Sequence, residues 1–216
     1  MSNWKQIDMR ITDQANEATD NVRYLGSLES ACKPLYACDP TAMAEHIPNL
    51  IKVISNIYQV SRYYNTSQRM TSLFIKVTNQ MVTACNNYIT ENSKMTVWEQ
   101  DVAKVQKKIA ECIDLHDGYI ENYQKERNRL EEQVKLGKID PSKQFDFSEI
   151  YIFGKYENFV KRVSSINELL NTIKSYSSIG RCHIEGIDSL NSNFNSIVAT
   201  VKKKRYDILD HRKVLF

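Results

Sequence analysis

The sequence has few residues that interrupt regular structure, with six glycines and four prolines among 216 residues. Such sparse breakers predict few turns and long elements. A period-two alternation of useful length, typical of β-strands, is also missing, whereas apolar residues recur at helical spacing over most of the chain. We therefore expect an all-α fold, built as an elongated bundle of long antiparallel helices.

Long apolar runs and strong charge are missing as well. The apolar runs extend over a few residues only, so we expect no membrane-spanning segment, and the N-terminus does not resemble a secretory signal. A formal net charge of +3 is small for a nucleic-acid-binding protein, and we expect neither nucleic acid nor membrane as a partner. Five cysteines without framework spacing indicate reduced thiols in a cytosolic protein.

Motifs of known catalytic chemistry are not found. Gly154-Lys155 lacks the upstream glycine and the following Ser or Thr of a phosphate-binding loop. The metal-binding pattern His-Glu-x-x-His, a paired Cys-x-x-Cys and a nucleophile elbow are also missing. Cys112 and His116 are four residues apart and share a helix face, but that face is mostly apolar, which favours core packing over a metal site. We expect no catalytic residue, no metal and no cofactor; a helical enzyme using Cys112 and His116 remains the catalytic hypothesis.

The strongest positive feature is a heptad stripe in the middle of the chain. Its members are Trp98, Val102, Val105, Ile109, Cys112, His116, Tyr119, Tyr123, Glu126 and Leu130. Steps of three and four residues predict one long helix, 96–136, along which the other helices pack. Thr96 and Glu99 form a capping box that would open it, and Gly137 with Pro141 would close it. Glu126 is the one charged member, where we expect the stripe to reach water.

Residues 4–32 predict a first helix, which Pro34 ends or bends. Its narrow stripe consists of Trp4, Ile7, Ile11, Ala15, Ala18, Val22, Leu25 and Cys32. The two central alanines would let a neighbouring helix approach closely. We expect this helix, like the others, to pack along the long central helix.

Two further helices precede the central one. Asp39-Pro40 is a start signal, but Pro48 lies within the stripe that follows. Either Pro48 kinks this helix or the helix begins at residues 46–48. Asn65 with Gln68 predicts the start of the next helix, and the short link between the two favours an antiparallel hairpin or a single kinked helix.

The domain prediction divides the chain into residues 1–136, an N-terminal helical bundle, a linker at 137–147, and a C-terminal helical segment at 148–216. An aromatic patch extends from the end of the linker into the last segment: Phe145, Phe147, Tyr151, Phe153 and Tyr156. Within it, Tyr151 and Tyr156 are candidates for binding a partner, whereas core packing is favoured for Phe147 and Phe153. A basic run provides the other candidates, which are Lys202, Lys203, Lys204 and Arg205, although a basic helix end that complements its own dipole is the simpler interpretation.

Four blocks of sequence carry a resemblance to a known family. They are Ala18 to Asn21 with Leu25, Leu28 and Glu29; Tyr63 to Thr66 with Arg69 to Thr71, Leu73, Phe74 and Asn79 to Met81; Phe147 to Glu149 with Ile152 to Tyr156 and Phe159 to Arg162; and Ile184 to Ile187. Together they resemble the first tail region of the dynein heavy chain N-terminal tail. They occur in the family's order over nearly the whole chain, and they are more similar to the axonemal branch than to the cytoplasmic branch.

The resemblance implies a structural role. In the family the tail is a stack of helical bundles that joins heavy chains, carries intermediate and light chains, and anchors the motor on cargo or, with a docking complex, on the axonemal doublet. The chain would then be a tail piece without ATPase modules, located in the cytoplasm and cytoskeleton, within the axoneme of a cilium or flagellum. The alternative is a free-standing cytoskeletal adaptor that resembles spectrin bundles. The last residues continue a helical pattern without a cap, which favours the tail piece.

Overall fold

The computed structural model describes residues 3–179, 190 and 192–203, and these residues form helices and no β-strand. Its helices are α1 Asn3–Cys32, α2 Pro34–Ala37, α3 Pro40–Val60, α4 Ser67–Ile89, α5 Val102–Lys135 and α6 Glu149–Ile179, with a 3-10 turn at Pro141–Lys143 and a helical stretch at 192–203. The predicted all-α class is confirmed.

The heptad stripe is the buried face of α5. From Val105 to Leu130 its members are almost fully buried, with the exception of Glu126. Glu126 is the partly accessible member, as expected, although only 12% of its side chain is exposed and it bonds Arg129 at 2.6 and 2.8 Å. Burial opposes the carboxylate, but the bonds from Arg129 and Ser55 outweigh it and lower the pKa of Glu126.

The start of α5 differs from the prediction and its end agrees with it. The helix begins at Val102, where the N-cap Asp101 accepts a 3.0 Å bond from the Lys104 amide. The predicted start at Thr96 is wrong, because Glu99 bonds the Thr96 amide within a separate turn. At the other end Gly137 has a φ of +70° and closes a Schellman motif, which satisfies the last carbonyls of the helix.

Helices α4 and α6 both run antiparallel to α5. Along α4, Phe74 lies 5.4 Å from Tyr123, ring centre to ring centre, while Cys85, further along, contacts Cys112. The contacts of α6 with α5 also run in opposite chain directions. Phe153 packs on Tyr119 at 5.1 Å, and later residues of α6 contact earlier residues of α5. The predicted antiparallel packing is therefore confirmed for these three helices.

Helices α3 and α4 are two helices joined by residues 61–66, so a single kinked helix is excluded. The helix α3 begins at Pro40 and continues through Pro48, so a start at residues 46–48 is wrong. Pro48 is exposed, where the carbonyl that loses its helical donor can bond water. Thr66, and not Asn65, caps α4, since its hydroxyl accepts a bond from the Arg69 amide.

The segment 137–147, predicted as a linker, contributes two aromatic residues to the core. Phe145 stacks on Tyr123 at 5.5 Å and Phe147 packs edge-on against Tyr58 at 5.2 Å. Both residues are buried, as expected for Phe147. The chain forms two compact units, Met1–Asn167 and Glu168–Phe216, so this segment lies within the first unit.

Helix α1 uses a different face from the one predicted. It contacts α2 and α3, and among its residues Ala31 is buried and Asp20 and Tyr24 are half-buried. The apolar stripe faces solvent, and Trp4 and Val22 are 79% and 70% exposed. The expectation that this stripe packs within the chain is therefore wrong.

Candidate functional site

The first turn of α6 presents two large apolar residues to solvent. Ile150 is 79% exposed and Tyr151 is 71% exposed. The next residues, Ile152 and Phe153, turn into the core, because consecutive positions on a helix are about 100° apart. The sequence candidate Tyr151 thus lies at an accessible surface, held by a rigid helix end.

The other aromatic candidate, Tyr156, lies fully inside the protein. Its hydroxyl donates a 2.9 Å bond to the Cys112 carbonyl and lies 3.2 Å from Cys85 Sγ. Burial, followed by the nearby Cys85 thiol, raises the pKa of Tyr156 above its usual range. In this fold its side chain is not accessible to a partner.

The pair Cys112 and His116 lies in the same buried region. The pKa of the Cys112 thiol is raised, since its contact with Cys85 and its burial both oppose the thiolate. His116 Nδ1 lies 2.9 Å from an Asp117 carboxylate oxygen, and the ring packs on Tyr156. Within the described part of the chain, no group of three potential metal ligands occurs. A protonated thiol packed in the core is a poor nucleophile. We therefore interpret Cys112 and His116 as residues of the hydrophobic core.

The structure describes two of the four basic candidates. Lys202 and Lys203 are exposed on the helical stretch 192–203. Lys204 and Arg205 lie outside the described residues. The same stretch exposes Phe194, Ile197 and Val201, and none of the described helices has the length and apolar composition needed to cross a membrane.

A polar junction that we did not predict fastens α1 to the α3–α4 loop. The Ser61 hydroxyl donates a 2.5 Å bond to the Asp20 carboxylate, which also accepts a 3.2 Å bond from the Tyr63 amide. Arg69 bonds both the Tyr63 carbonyl, at 2.8 Å, and Glu17. The bond from Ser61 is the main reason why the pKa of Asp20 is lowered. These residues belong to, or adjoin, the first two blocks that resemble the tail family, and they act in packing.

A second unpredicted feature is a groove of about 510 Å³ between α2, the end of α4 and α5. At its edge Glu91 accepts bonds of 2.7 Å from Lys104 and 3.0 Å from the buried Lys108. These two lysines lower the pKa of Glu91 to about 2. Glu91 also begins three successive residues with positive φ, a rare conformation for residues other than glycine. The ion pairs of Glu91 with Lys104 and Lys108 stabilise the sharp turn between α4 and α5. The spacing of apolar residues in the sequence does not predict this turn.

Comparison with known proteins shows one family over the whole chain. The family model "Dynein heavy chain, N-terminal region 1" matches residues 1–216. The chain is 50% identical over 216 residues to dynein axonemal heavy chain 8 of Mus musculus, covering 100% of this chain and 4% of that protein. It is 47% identical over 214 residues to dynein axonemal heavy chain 5 of Mus musculus, which is 99% of this chain and 4% of that protein.

A more distant relative is the dynein gamma chain of the flagellar outer arm from Chlamydomonas reinhardtii. It is 36% identical over 214 residues, covering 99% of this chain and 5% of that protein. The chain therefore spans only a small part of the curated relatives that it matches. The resemblance to the axonemal branch of the tail family, inferred from four blocks of sequence, is confirmed.

Proposed function

This chain belongs to the dynein heavy chain family, and from that premise we propose that it is a non-catalytic tail segment that acts as a helical scaffold. It matches the N-terminal tail region of these heavy chains, which is separate from their ATPase modules. Its task is to hold chains of the motor together and to attach the motor to cargo or to the axonemal doublet. Its location follows that of its relatives, which is the axoneme of cilia or flagella, within the cytoskeleton.

The observation that carries the proposal is a set of apolar side chains exposed on a well-packed helical frame. Ile150 and Tyr151 lie at the start of α6, directly beside a core in which Phe153 and Phe147 are buried. Exposed aromatic residues held by rigid elements are typical anchors of protein interfaces. A scaffold needs such anchors and needs no reacting group.

The proposed partners are other dynein heavy chains, intermediate chains and light chains, together with the docking complex of the axoneme. Nucleic acid and membrane are not among them. The surface around Tyr151 is our candidate for one of these contacts, and Lys202 and Lys203, with Lys204 and Arg205, form a second candidate. Several positive charges close together in the sequence attract acidic segments of a partner over a short range.

The test is capture of named dynein subunits from axonemal extract by the immobilised chain, followed by immunoblotting for intermediate and heavy chains. Tyr151→Ala should reduce capture at least about tenfold, since an aromatic anchor contributes about 2 kcal/mol or more to binding. Its melting temperature should stay unchanged. Tyr36→Ala is the matched control, because Tyr36 is 73% exposed on a different surface.

Equal capture by the two variants and the parent would contradict a role for Tyr151. A matching loss of stability in Tyr151→Ala would show that the residue acts in packing. Absence of every dynein subunit from the captured material would overturn the scaffold itself.

The alternative, a free-standing adaptor that resembles spectrin bundles, predicts a small native polypeptide. An antibody raised against residues 3–179 would separate the two functions on a denaturing gel of the source cells. A band many times heavier than 25.1 kDa supports the tail segment. A band near that mass would contradict the tail segment and support the adaptor.

A further inference from the structure

The groove at the end of α4 has the size of a peptide site. It follows residues 80–91, which extend over about 16 Å at helical spacing, and its walls are the start of α5 and residues 35–40. An extended peptide advances about 3.3 Å per residue, so this length takes about five residues. The groove volume of about 510 Å³ also lies within the range of about 300–1,000 Å³ that is typical of ligand sites.

The middle of the groove is small and apolar. Ala84 is half-buried there and carries a single methyl group, and Cys38 and Tyr88 also line the groove. The wall opposite α5 is fixed in place, because the Gln80 side chain donates a 3.2 Å bond to the Leu35 carbonyl of α2. The groove therefore offers a preformed space for one apolar side chain.

The side chains of Asn87 and Asn92 line the groove and have no hydrogen-bond partner among the described residues. Both residues are exposed. A carboxamide offers a donor and an acceptor together, so each can bond the N–H and the C=O of a peptide backbone. An extended backbone presents these groups, whereas a helix uses them internally. The two amides therefore favour an extended segment over a helix as the occupant.

The backbone holds Asn92 at the groove in an unusual conformation. Glu91, Asn92 and Ser93 have φ angles of 49°, 58° and 65°, a left-handed conformation that is unfavourable for residues other than glycine. The Asn92 amide donates a 2.7 Å bond to the Asn87 carbonyl, which keeps these two residues together. Strained backbone of this kind concentrates at binding and catalytic sites, so the turn is a separate reason to assign binding to this groove.

The α5 wall of the groove has an excess of positive charge. Lys104 and Lys108 share Glu91 as their ion-pair partner. Lys108 is buried and also bonds the Gln100 oxygen at 2.9 Å, whereas the side chain of Lys104 is 60% exposed. An ammonium group has three donors, so Lys104 can bind a further carboxylate. Asp39, on the opposite wall, repels an acidic group there and so restricts it to the α5 side.

We propose that this groove binds an extended segment of a partner protein that carries one acidic and one apolar side chain. The acidic side chain bonds Lys104, the apolar one fills the space over Ala84, and the backbone between them bonds Asn87 and Asn92. The inference rests on the proposed function, because the segment belongs to a chain that the scaffold holds. It uses a surface other than that of Tyr151.

The first test uses Cys38, a native thiol that lines the groove and is partly exposed. The probes are blocked pentapeptides with one leucine and one glutamate among glycines, and the measurement is the rate of alkylation by iodoacetamide without and with peptide. If the dissociation constant is about 1 mM, a peptide at about 5 mM should slow alkylation of Cys38 at least about threefold. Cys32, which is partly exposed outside the groove, should react at its usual rate. Matched peptides with lysine in place of glutamate should protect neither thiol.

Four variants separate the charge from the apolar contact. Lys104→Ala should weaken binding of the glutamate peptides at least about threefold. Lys125→Ala is its control, since Lys125 is 66% exposed on the same helix and also forms an ion pair, but does not line the groove. Ala84→Trp fills the floor and should abolish protection of Cys38, whereas Ala110→Trp, at an exposed position of α5, should retain it. Circular dichroism melting should show that all four variants fold, because none of these residues is buried.

The second test determines whether the groove holds a dynein subunit. Ala84→Trp should capture at least one named subunit from axonemal extract about tenfold less than the parent chain does. Ala110→Trp should capture that subunit equally. Tyr36 lies at the outer edge of the groove and is 73% exposed, so Tyr36→Ala leaves the floor intact and stays a control for Tyr151.

Three results would overturn the inference. They are equal alkylation of Cys38 with and without the glutamate peptides, equal protection by the lysine peptides, or full capture of every subunit by Ala84→Trp. Failure of the groove can be distinguished from failure of the proposed function. A parent chain that captures dynein subunits while the peptides leave Cys38 unprotected keeps the scaffold and loses the groove, whereas a parent chain that captures none overturns both.

Discussion

The Tyr156 hydroxyl, on α6, donates a 2.9 Å hydrogen bond to the backbone carbonyl of Cys112, on α5. Both residues are fully buried. The bond joins two antiparallel helices beside two further contacts, in which Cys85 Sγ lies 3.2 Å from the Tyr156 hydroxyl and Cys112 Sγ lies 4.0 Å from the Cys85 carbonyl. Tyr156, which the aromatic patch suggests as a partner-binding candidate, is thus part of the contact between α5 and α6.

Tyr156→Phe should lower the free energy of unfolding by about 1 kcal/mol. The cost is modest, because the Cys112 carbonyl also accepts its ordinary helical bond. Tyr151→Phe is the control, since Tyr151 is exposed, and should change stability by less than about 0.5 kcal/mol. Urea denaturation followed by circular dichroism measures both. Equal losses would contradict the buried and exposed positions of these two tyrosines.

Ser61→Ala should destabilise the chain by about 1–2 kcal/mol. Ser61 is 2% exposed, and its hydroxyl donates to Asp20 and accepts a 2.8 Å bond from the Tyr64 amide. Loss of this hydroxyl removes both hydrogen bonds from the loop beside α1. Ser30→Ala, at an exposed position of α1, should stay within about 0.5 kcal/mol of the parent. Thermal melting of the two variants tests the junction, which would be refuted by a neutral Ser61→Ala.

Glu91→Gln should lower stability at pH 7 and have less effect as the solution becomes acidic. The pKa of Glu91 is about 2 in the folded chain, below the ordinary value of 4.5. A lowered pKa means that the carboxylate stabilises the fold above about pH 4.5, and that this contribution disappears as the pH falls towards 2. Melting curves of parent and variant between pH 7 and pH 2.5 measure the difference. A gap that stays constant across this range would contradict the ion pairs with Lys104 and Lys108.

Thiol-reactive reagents should distinguish the cysteines of the native chain. Cys85 and Cys112 are fully buried and should not react until the chain unfolds. Cys38 and Cys32 are partly exposed, and Cys38 should react faster, because burial raises the pKa of the Cys32 thiol. Peptide mass spectrometry after timed alkylation reports each site separately. Rapid native modification of Cys112 would revive a catalytic role for Cys112 and His116.

Local sequence rules predicted features that depend on neighbouring residues along the chain. Gly137 ends α5 because the closing motif needs a residue with positive φ, which glycine adopts without strain. The start of the same helix is not predicted correctly, because Thr96 and Asp101 both offer a suitable cap and the spacing of apolar residues does not distinguish between them. The sequence predicts a linker at 137–147, and the structure adds that Phe145 and Phe147 within it are buried, which depends on contacts with distant residues.

The helical class, the long stripe of α5 and the family follow from the sequence alone, since helical periodicity and ordered blocks of residues are properties of the chain order. Which apolar stripes are buried depends on the packing of the helices and is not visible in the sequence. Val105 on α5 and Ile7 on α1 occupy similar apolar stripes, yet the first is fully buried and the second is 46% exposed. An apolar stripe indicates that burial of a helix face is favourable. Which neighbour covers that face depends on contacts between residues that are distant in sequence.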